Sequence, residues 1–372
     1  PRSTPLYSSA ASDVYKRQIL YLSLLAILMT NNHIKRIGFA CKFSEVNTKN
    51  FVVSVPELNT GGTTLTWLKR QKQEVAEQKL WDTMEKNITH THNLVMKVGS
   101  LVPDLRMVRL TSDMLTAYTH PDWEYFYKRQ DVINRMEELF TKVGNSAREN
   151  DVRLSFHPGQ FTVLASASDD IINNSIKEFE YHADMARSMG YGKQFQDFKI
   201  NVHISGRRGP QGIKDVMKRL TVEARNMITI ENDEMTWGID SSMELIDTCA
   251  LVLDIHHHWI KTGEYIENND DRIKRICDSW RGVRPVIHYS VSRDDLLVGH
   301  SRLQRPALFP LMESGHNKQK LRAHSDFYWN DAVNDWALTF SDKFDIMCES
   351  KAKNLASFSL YDLRKDKECS TN

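Results

Sequence analysis

The sequence predicts a single α/β domain, a TIM (β/α)8 barrel. Eight short β-like runs spread over nearly the whole chain, helix-like segments lie between them, and most of the runs carry a histidine, aspartate or glutamate at or within two residues of their C-terminal end. Strand followed by helix, repeated, gives right-handed parallel crossovers, which close into a barrel or form an open doubly wound sheet. No Gly-x-Gly-x-x-Gly follows the first run, which argues against a dinucleotide fold and a nucleotide cofactor. In a parallel barrel the C-terminal strand ends share one rim, so side chains remote in sequence meet there.

The first run is Ile34 to Ala40. An irregular stretch follows through Gly61 and Gly62, then Thr63 to Arg70, and next a long segment to Lys97 with helical spacing at Val75, Leu80, Met84 and Ile88. The second and third runs are Leu105 to Thr111 and Val152 to His157. Asp169 to Gly190 carries Ile172, Ile176, Phe179 and Met185, opens with acidic residues and closes on glycine, the start and stop pattern of a helix. The remaining runs are Phe198 to Ile204, Met227 to Asp233, Leu251 to His257, Arg284 to Ser290 and Asp345 to Lys351. Helix-like stretches at Gly212 to Asn226, Ser242 to Ala250 and Asp270 to Trp280 alternate with them.

At 372 residues and 41% apolar, the chain can build one large core. Ile19 to Met29 is an apolar run preceded by Lys16 and Arg17, too short to span a bilayer and followed by no small-residue cleavage site. Residues 1–30 are read as a leader outside the fold, with Met29 as a plausible original start; an extra helix on the barrel is the alternative. The barrel is expected over 31–363, with a flexible tail over 364–372. Basic and acidic side chains number 49 and 48, so no global field attracts a polyanion and any nucleic-acid surface must be local. Five cysteines without a Cys-x-x-Cys pair speak against a disulfide framework and a thiolate zinc site. A monomer in a reducing cytosol, without a membrane partner, is the expectation.

The residues converging on the rim are His157, His203, Glu231, Asp254, His257, His288 and Glu349. Imidazoles mixed with carboxylates, without thiolate, are the ligand set of Zn²⁺ or Mn²⁺ sites that perform hydrolysis or isomerisation. In Asp254-Ile255-His256-His257-His258, Asp254 and His257 can bind together through the turn, leaving His256 and His258 as supporting or solvated residues. His33, His90, His92, His182, His300 and His316 are read as structural. Ser155-Phe156-His157-Pro158-Gly159-Gln160-Phe161 turns sharply, holding His157 at the rim and projecting Gln160 and Phe161 outward. An amide beside an exposed ring suits wedging into a base stack. The alternative is an ordinary turn with Phe161 buried.

With these residues in place the chain resembles the UV damage endonuclease family. The matching motifs are Gly38-Phe39, Thr63-Thr64-Leu65-Thr66, Arg109-Leu110-Thr111-Ser112-Asp113, His157-Pro158-Gly159-Gln160, Asn201-Val202-His203, Glu231-Asn232-Asp233, Asp254-Ile255-His256-His257, Ile287-His288-Tyr289-Ser290, His324-Ser325-Asp326 and Glu349-x-Lys351. The resemblance implies an enzyme that nicks damaged double-stranded DNA immediately 5′ to a lesion, leaving a 3′-hydroxyl and a 5′-phosphate. It also implies two or three divalent ions, with Mn²⁺ expected and Zn²⁺ or Mg²⁺ as alternatives. Their ligands would be His120, His157, His203, Glu231, Asp254, His257, His288, His324 and Glu349, with Glu231, His257 and Glu349 closest to the chemistry.

Lesion probing is implied for Gln160, Phe161 and Phe39, with Phe43 where the family has asparagine. Where the family has Lys-x-His in the seventh strand, with a lysine open to carboxylation, this chain has Val286-Ile287-His288. Arg207, Arg208 and Lys214 are candidate phosphate contacts, as are Lys318, Lys320 and Arg322. A related-barrel abasic-site endonuclease or sugar isomerase would share the rim, and a lesion-binding protein without cleavage would fit the missing lysine.

Overall fold

The computed structural model describes residues 34–370. Eight parallel strands close into a barrel in the order β1 (Ile37–Ala40), β10 (Asp345–Cys348), β9 (Val286–Tyr289), β8 (Ala250–Asp254), β7 (Ile228–Glu231), β6 (Lys199–His203), β5 (Arg153–Phe156) and β4 (Met107–Arg109). Each expected run coincides with one barrel strand. The remaining strands, β2 (Ser44–Val46) and β3 (Val52–Ser54), form an antiparallel ribbon in the stretch expected to be irregular.

The helix Gln73–Gly99 buries Ala76, Leu80, Met84 and Ile88, whereas Val75 faces solvent. Asp169–Ser188 is helical and buries Ile172, Phe179 and Met185. Gly212 to Asn226 proves to be two helices, Gly209–Met217 and Val222–Met227, interrupted where the Thr221 hydroxyl caps the second. Ser242 to Ala250 holds the end of a single turn, Ile239–Ser242, and a 3-10 turn, Met243–Leu245. The helix Gln130–Glu149 lies outside the segments assigned from the sequence and packs on Gln73–Gly99. Residues 364–370, expected as a tail, continue the helix Asn354–Ser370, with the buried Arg364 paired to Asp104. The expected leader and His33 lie outside the described residues. Among the described residues no helix is long and apolar enough to cross a membrane.

Alternation along the strands sorts side chains into two populations. Met107, Ala250, Val252, Val286 and Met347 form an apolar layer inside the barrel with Trp280. Ile37, Phe39, Val108, Leu154, Ile200, Ile230, Leu253, Ile287 and Ile346 belong to the larger core shared with the helices. Gly38 belongs to the inner set: a Cβ there would lie 2.6 Å from the Met107 carbonyl oxygen. At the N-terminal end Asp345 closes the barrel. Its carboxylate accepts from Arg153 Nη1 and Arg284 Nε, each at 2.7 Å, and from the Arg36 backbone N–H. Two residues past the apolar layer toward the rim, the inward residues become Arg109, Glu231, Asp254, His288 and Glu349.

Candidate metal centre

Among the described residues, four overlapping groups of side chains place potential ligand atoms within 4.8 Å of one another. They are His157, His288 and Glu349; His157, His203 and Glu231; His203, Glu234 and His257; and Glu231, Asp254 and His257. Glu231 joins them, with Oε2 at 3.3 Å from His157 Nε2 and 3.2 Å from His288 Nδ1, and Oε1 at 3.4 Å from His257 Nδ1. Glu349 Oε1 lies 3.3 Å from His288 Nδ1. All seven rim residues read from the sequence therefore come together. Glu234 also belongs here and was not anticipated, because it sits in the loop after β7 where no strand or helix period marks it.

The surrounding residues fix which ring nitrogen faces inward. His157 Nδ1 is 2.9 Å from the Pro158 carbonyl, which directs Nε2 to Glu231. His257 Nδ1 lies 3.2 Å from the Asn232 carbonyl, leaving Nε2 toward Asp254 and Glu234. Asp254 caps the helix Ile255–Thr262 through a 2.7 Å bond from the His257 backbone N–H, so the strand end and the first helical turn present Asp254 and His257 as one unit. The Asn201 amide donates to Glu231 Oε2, and Thr229 donates to Asn201 Oδ1 at 2.8 Å. Arg109 donates to Glu349. Lys199 reaches across the barrel to His288, with Nζ 2.8 Å from Nε2.

The electrostatics are those of a cation trap. Burial opposes protonation of His257, yet Asp254, Glu231, Glu234 and Glu349 outweigh it and raise its pKa to about 9. Burial pushes Asp254 well up, helped by the neighbouring glutamates. Burial works against ionised Glu231 and Glu349 too, but the imidazoles around Glu231 and the Arg109 guanidinium beside Glu349 hold both well below the usual range. His288 falls to about 4 and Lys199 to about 7, each chiefly through burial. Glu231 Oε1, Asp254 Oδ2 and His288 Nδ1 are buried without hydrogen-bond partners and converge on this centre. Such groups are costly unless something binds them, and a divalent cation suits this donor set.

The family model described as UV-endonuclease UvdE matches residues 35–371. The chain belongs to this family. A UV DNA damage endonuclease of Bacillus cereus strain B4264 is 25% identical over 311 residues, covering 80% of this chain and 87% of that protein. One from Bacillus thuringiensis subsp. konkukian is 25% identical over 305 residues, with 79% and 85% coverage. The crystal structure of SacUVDE shares the fold, with a TM-score of 0.61 and 20% identity over 83% of this chain and 93% of that one. As a member of the UvdE family, the chain is an endonuclease that acts on DNA.

In this UvdE-family barrel the other anticipated residues divide. Phe161 is 86% exposed, which removes the buried-turn alternative, and Gln160 is exposed beside it. Their loop is pinned by the bond from the Val163 N–H to Ser175 Oγ, at 2.9 Å. Phe161 and His120 line a groove of about 1240 Å³. His120 turns Nδ1 to the Asp122 backbone N–H and joins none of the four ligand groups. His324 is half-buried near Glu349 and His257 but also lies outside those groups, its ring 6.1 Å from that of His256.

Phe39 is fully buried between Phe43 and Phe358, outside the barrel lumen, so it offers no face to a base. Strand parity explains this: Gly38 points in, so its neighbour points out. Arg207 is exposed, Arg208 pairs with Asp215 at 2.8 Å, and Lys214 is half-buried on the same helix as Asp215. His90, His92, His182, His300 and His316 bond to backbone or hydroxyl oxygens away from the centre.

Proposed function

We propose that this endonuclease nicks duplex DNA immediately 5′ to UV photoproducts and other distorting lesions, leaving a 3′-hydroxyl and a 5′-phosphate. Two or three divalent ions, Mn²⁺ in this reading, would be held by His157, His203, Glu231, Asp254, His257, His288 and Glu349. The observation that carries the proposal is the convergence of three unpartnered buried polar atoms, on Glu231, Asp254 and His288, at the open rim of the barrel. Ions bound there supply polarisation of the phosphodiester, activation of water and stabilisation of the leaving oxygen.

The chain's own residues do the rest. Glu231 and Glu349 each face more than one ligand atom and so hold the cluster together. Asn201 and Arg109 orient those carboxylates, and Asp254 with Asn232 fixes His257. Phe161 wedges into the stack and Gln160 meets the exposed base edges, while Phe39 is left out because it is buried. Arg207 and Lys214, and Arg208 once released from Asp215, are the phosphate contacts of this reading. His120 and His324 remain ligands on resemblance alone. A reducing cytosolic setting belongs to the same proposal, supported by five unpaired cysteines.

The test is nicking of ultraviolet-irradiated against untreated plasmid with Mn²⁺, with end groups read on a duplex carrying one defined photoproduct. Lesion-dependent nicks 5′ to the photoproduct, abolished by chelation, are expected. Tight binding without nicking would show a lesion-binding protein, and metal-independent nicking would refute the assignment.

A further inference from the structure

Glu234 stands three residues past the end of β7, in a loop that is unusually well fixed. The Asp233 carboxylate accepts from the Met235 N–H at 2.7 Å and from the Thr236 N–H, and Lys261 Nζ donates to the carbonyls of Met235 and Thr236 at 3.2 and 3.1 Å. Trp237 Nε1 anchors the loop to the Gly206 carbonyl at 2.7 Å. This scaffold aims Glu234 at two partners. Oε2 lies 3.8 Å from His257 Nε2 and shares a potential ligand group with His203 and His257. Oε1 is held at 2.8 Å by Arg322 Nη1, two residues before His324.

The two partners differ in kind. Glu234 is 11% exposed and Arg322 is 46% exposed, and with His203 and Gln160 they line a cavity of about 200 Å³ that opens beside the ligand cluster. A guanidinium and a divalent cation compete for one carboxylate, since each draws on the same delocalised negative charge. The guanidinium has an alternative partner of matching geometry in a DNA phosphodiester, whereas the carboxylate's other neighbours, His257 and the cation, both belong to the ligand cluster.

We propose that Glu234 is a reserve ligand of the metal centre whose availability Arg322 controls. While Arg322 holds it, a cation bound by His203 and His257 would have a weak hold on this carboxylate. When a phosphodiester takes the guanidinium, the whole carboxylate turns to the cation. By linkage, cation and phosphodiester then each strengthen the binding of the other. This inference rests on the proposed metal dependence.

The test measures Mn²⁺ binding to the full chain without DNA, by free-Mn²⁺ paramagnetic resonance, for wild type, Arg322→Ala, Glu234→Gln and the double variant. Arg322→Ala is expected to bind one ion severalfold more tightly than wild type, and that gain should vanish in the Glu234→Gln background. An unchanged affinity in Arg322→Ala overturns the inference. So does an equal gain with and without Glu234, which would mean simple charge removal. If wild type binds no Mn²⁺ at all, the metal reading itself falls; if it binds and Arg322 has no effect, only this inference does. Circular dichroism of all four proteins checks that each is folded.

Discussion

Lys199, on β6, places its Nζ 2.8 Å from Nε2 of His288, on β9, across the barrel interior. The seventh strand carries Val286 where a lysine was the family expectation, yet a buried amine still reaches the same histidine from another strand. Keeping that amine charged is costly: burial drags it from 10.5 to about 7. The folded-state value is depressed for a base, so the penalty is fully present below pH 7 and fades as pH rises toward 10.5. Lys199→Met is therefore expected to melt higher than wild type at pH 6, with the gap narrowing by pH 10. Calorimetry across that range checks it, and a pH-independent gap would show that packing, not charge, is responsible. Val286→Lys would bring a second amine into the barrel interior, within the apolar layer, and is expected to lower the melting temperature.

Asn201 touches Glu231 without offering a ligand atom to the centre. Asn201→Ala removes the donor that orients the bridging carboxylate, and loss of such supporting bonds weakens metal binding by about 10- to 100-fold. Mn²⁺ titration followed by calorimetry should show this, on protein that circular dichroism shows to be folded. An unchanged Mn²⁺ affinity would mean that Glu231 needs no orienting partner.

Phe161→Ala should weaken binding to lesion-bearing duplex by about 1 to 3 kcal/mol, the worth of one base–aromatic stack. Because the ring is already exposed, neither stability nor metal content should change. Fluorescence anisotropy on damaged and intact duplexes reads the difference, and equal losses on both would assign Phe161 to general DNA contact.

His182 is buried against Phe156 with Nδ1 on the Glu178 carbonyl, and burial lowers its pKa from 6.5 to about 4. The unfolded chain takes up this proton first, so stability falls as pH drops from about 6.5 toward 4, by about 3 kcal/mol for this group alone. Denaturant unfolding of wild type and His182→Gln between pH 7 and 4.5 should show a shallower acid slope in the variant.

The barrel was legible because apolar runs ending in His, Asp or Glu mark parallel strands with functional rims. The same parity predicts more than was drawn from it. Lys199 and Asn201 precede His203 by four and two positions on one strand, so an inward His203 carries both into the lumen; Phe39, next to an inward Gly38, had to point out. The helix Gln130–Glu149 was equally readable from Val132, Met136, Leu139, Phe140 and Val143. Glu234 was not, because its placement depends on the Asp233 turn and the Lys261 and Trp237 anchors, contacts between segments that no local period reports. Gly212 to Asn226 was read as one helix because its apolar content runs on through the Thr221 cap.

The knot of Arg36, Arg153 and Arg284 on Asp345, beneath the Met107, Val252, Val286 and Met347 layer, makes the barrel a blind well. In the proposed reading, ions would enter by the rim that the duplex then covers, so a cation would load before the DNA. A chelator added after the damaged duplex should strip the centre far more slowly than one added before it.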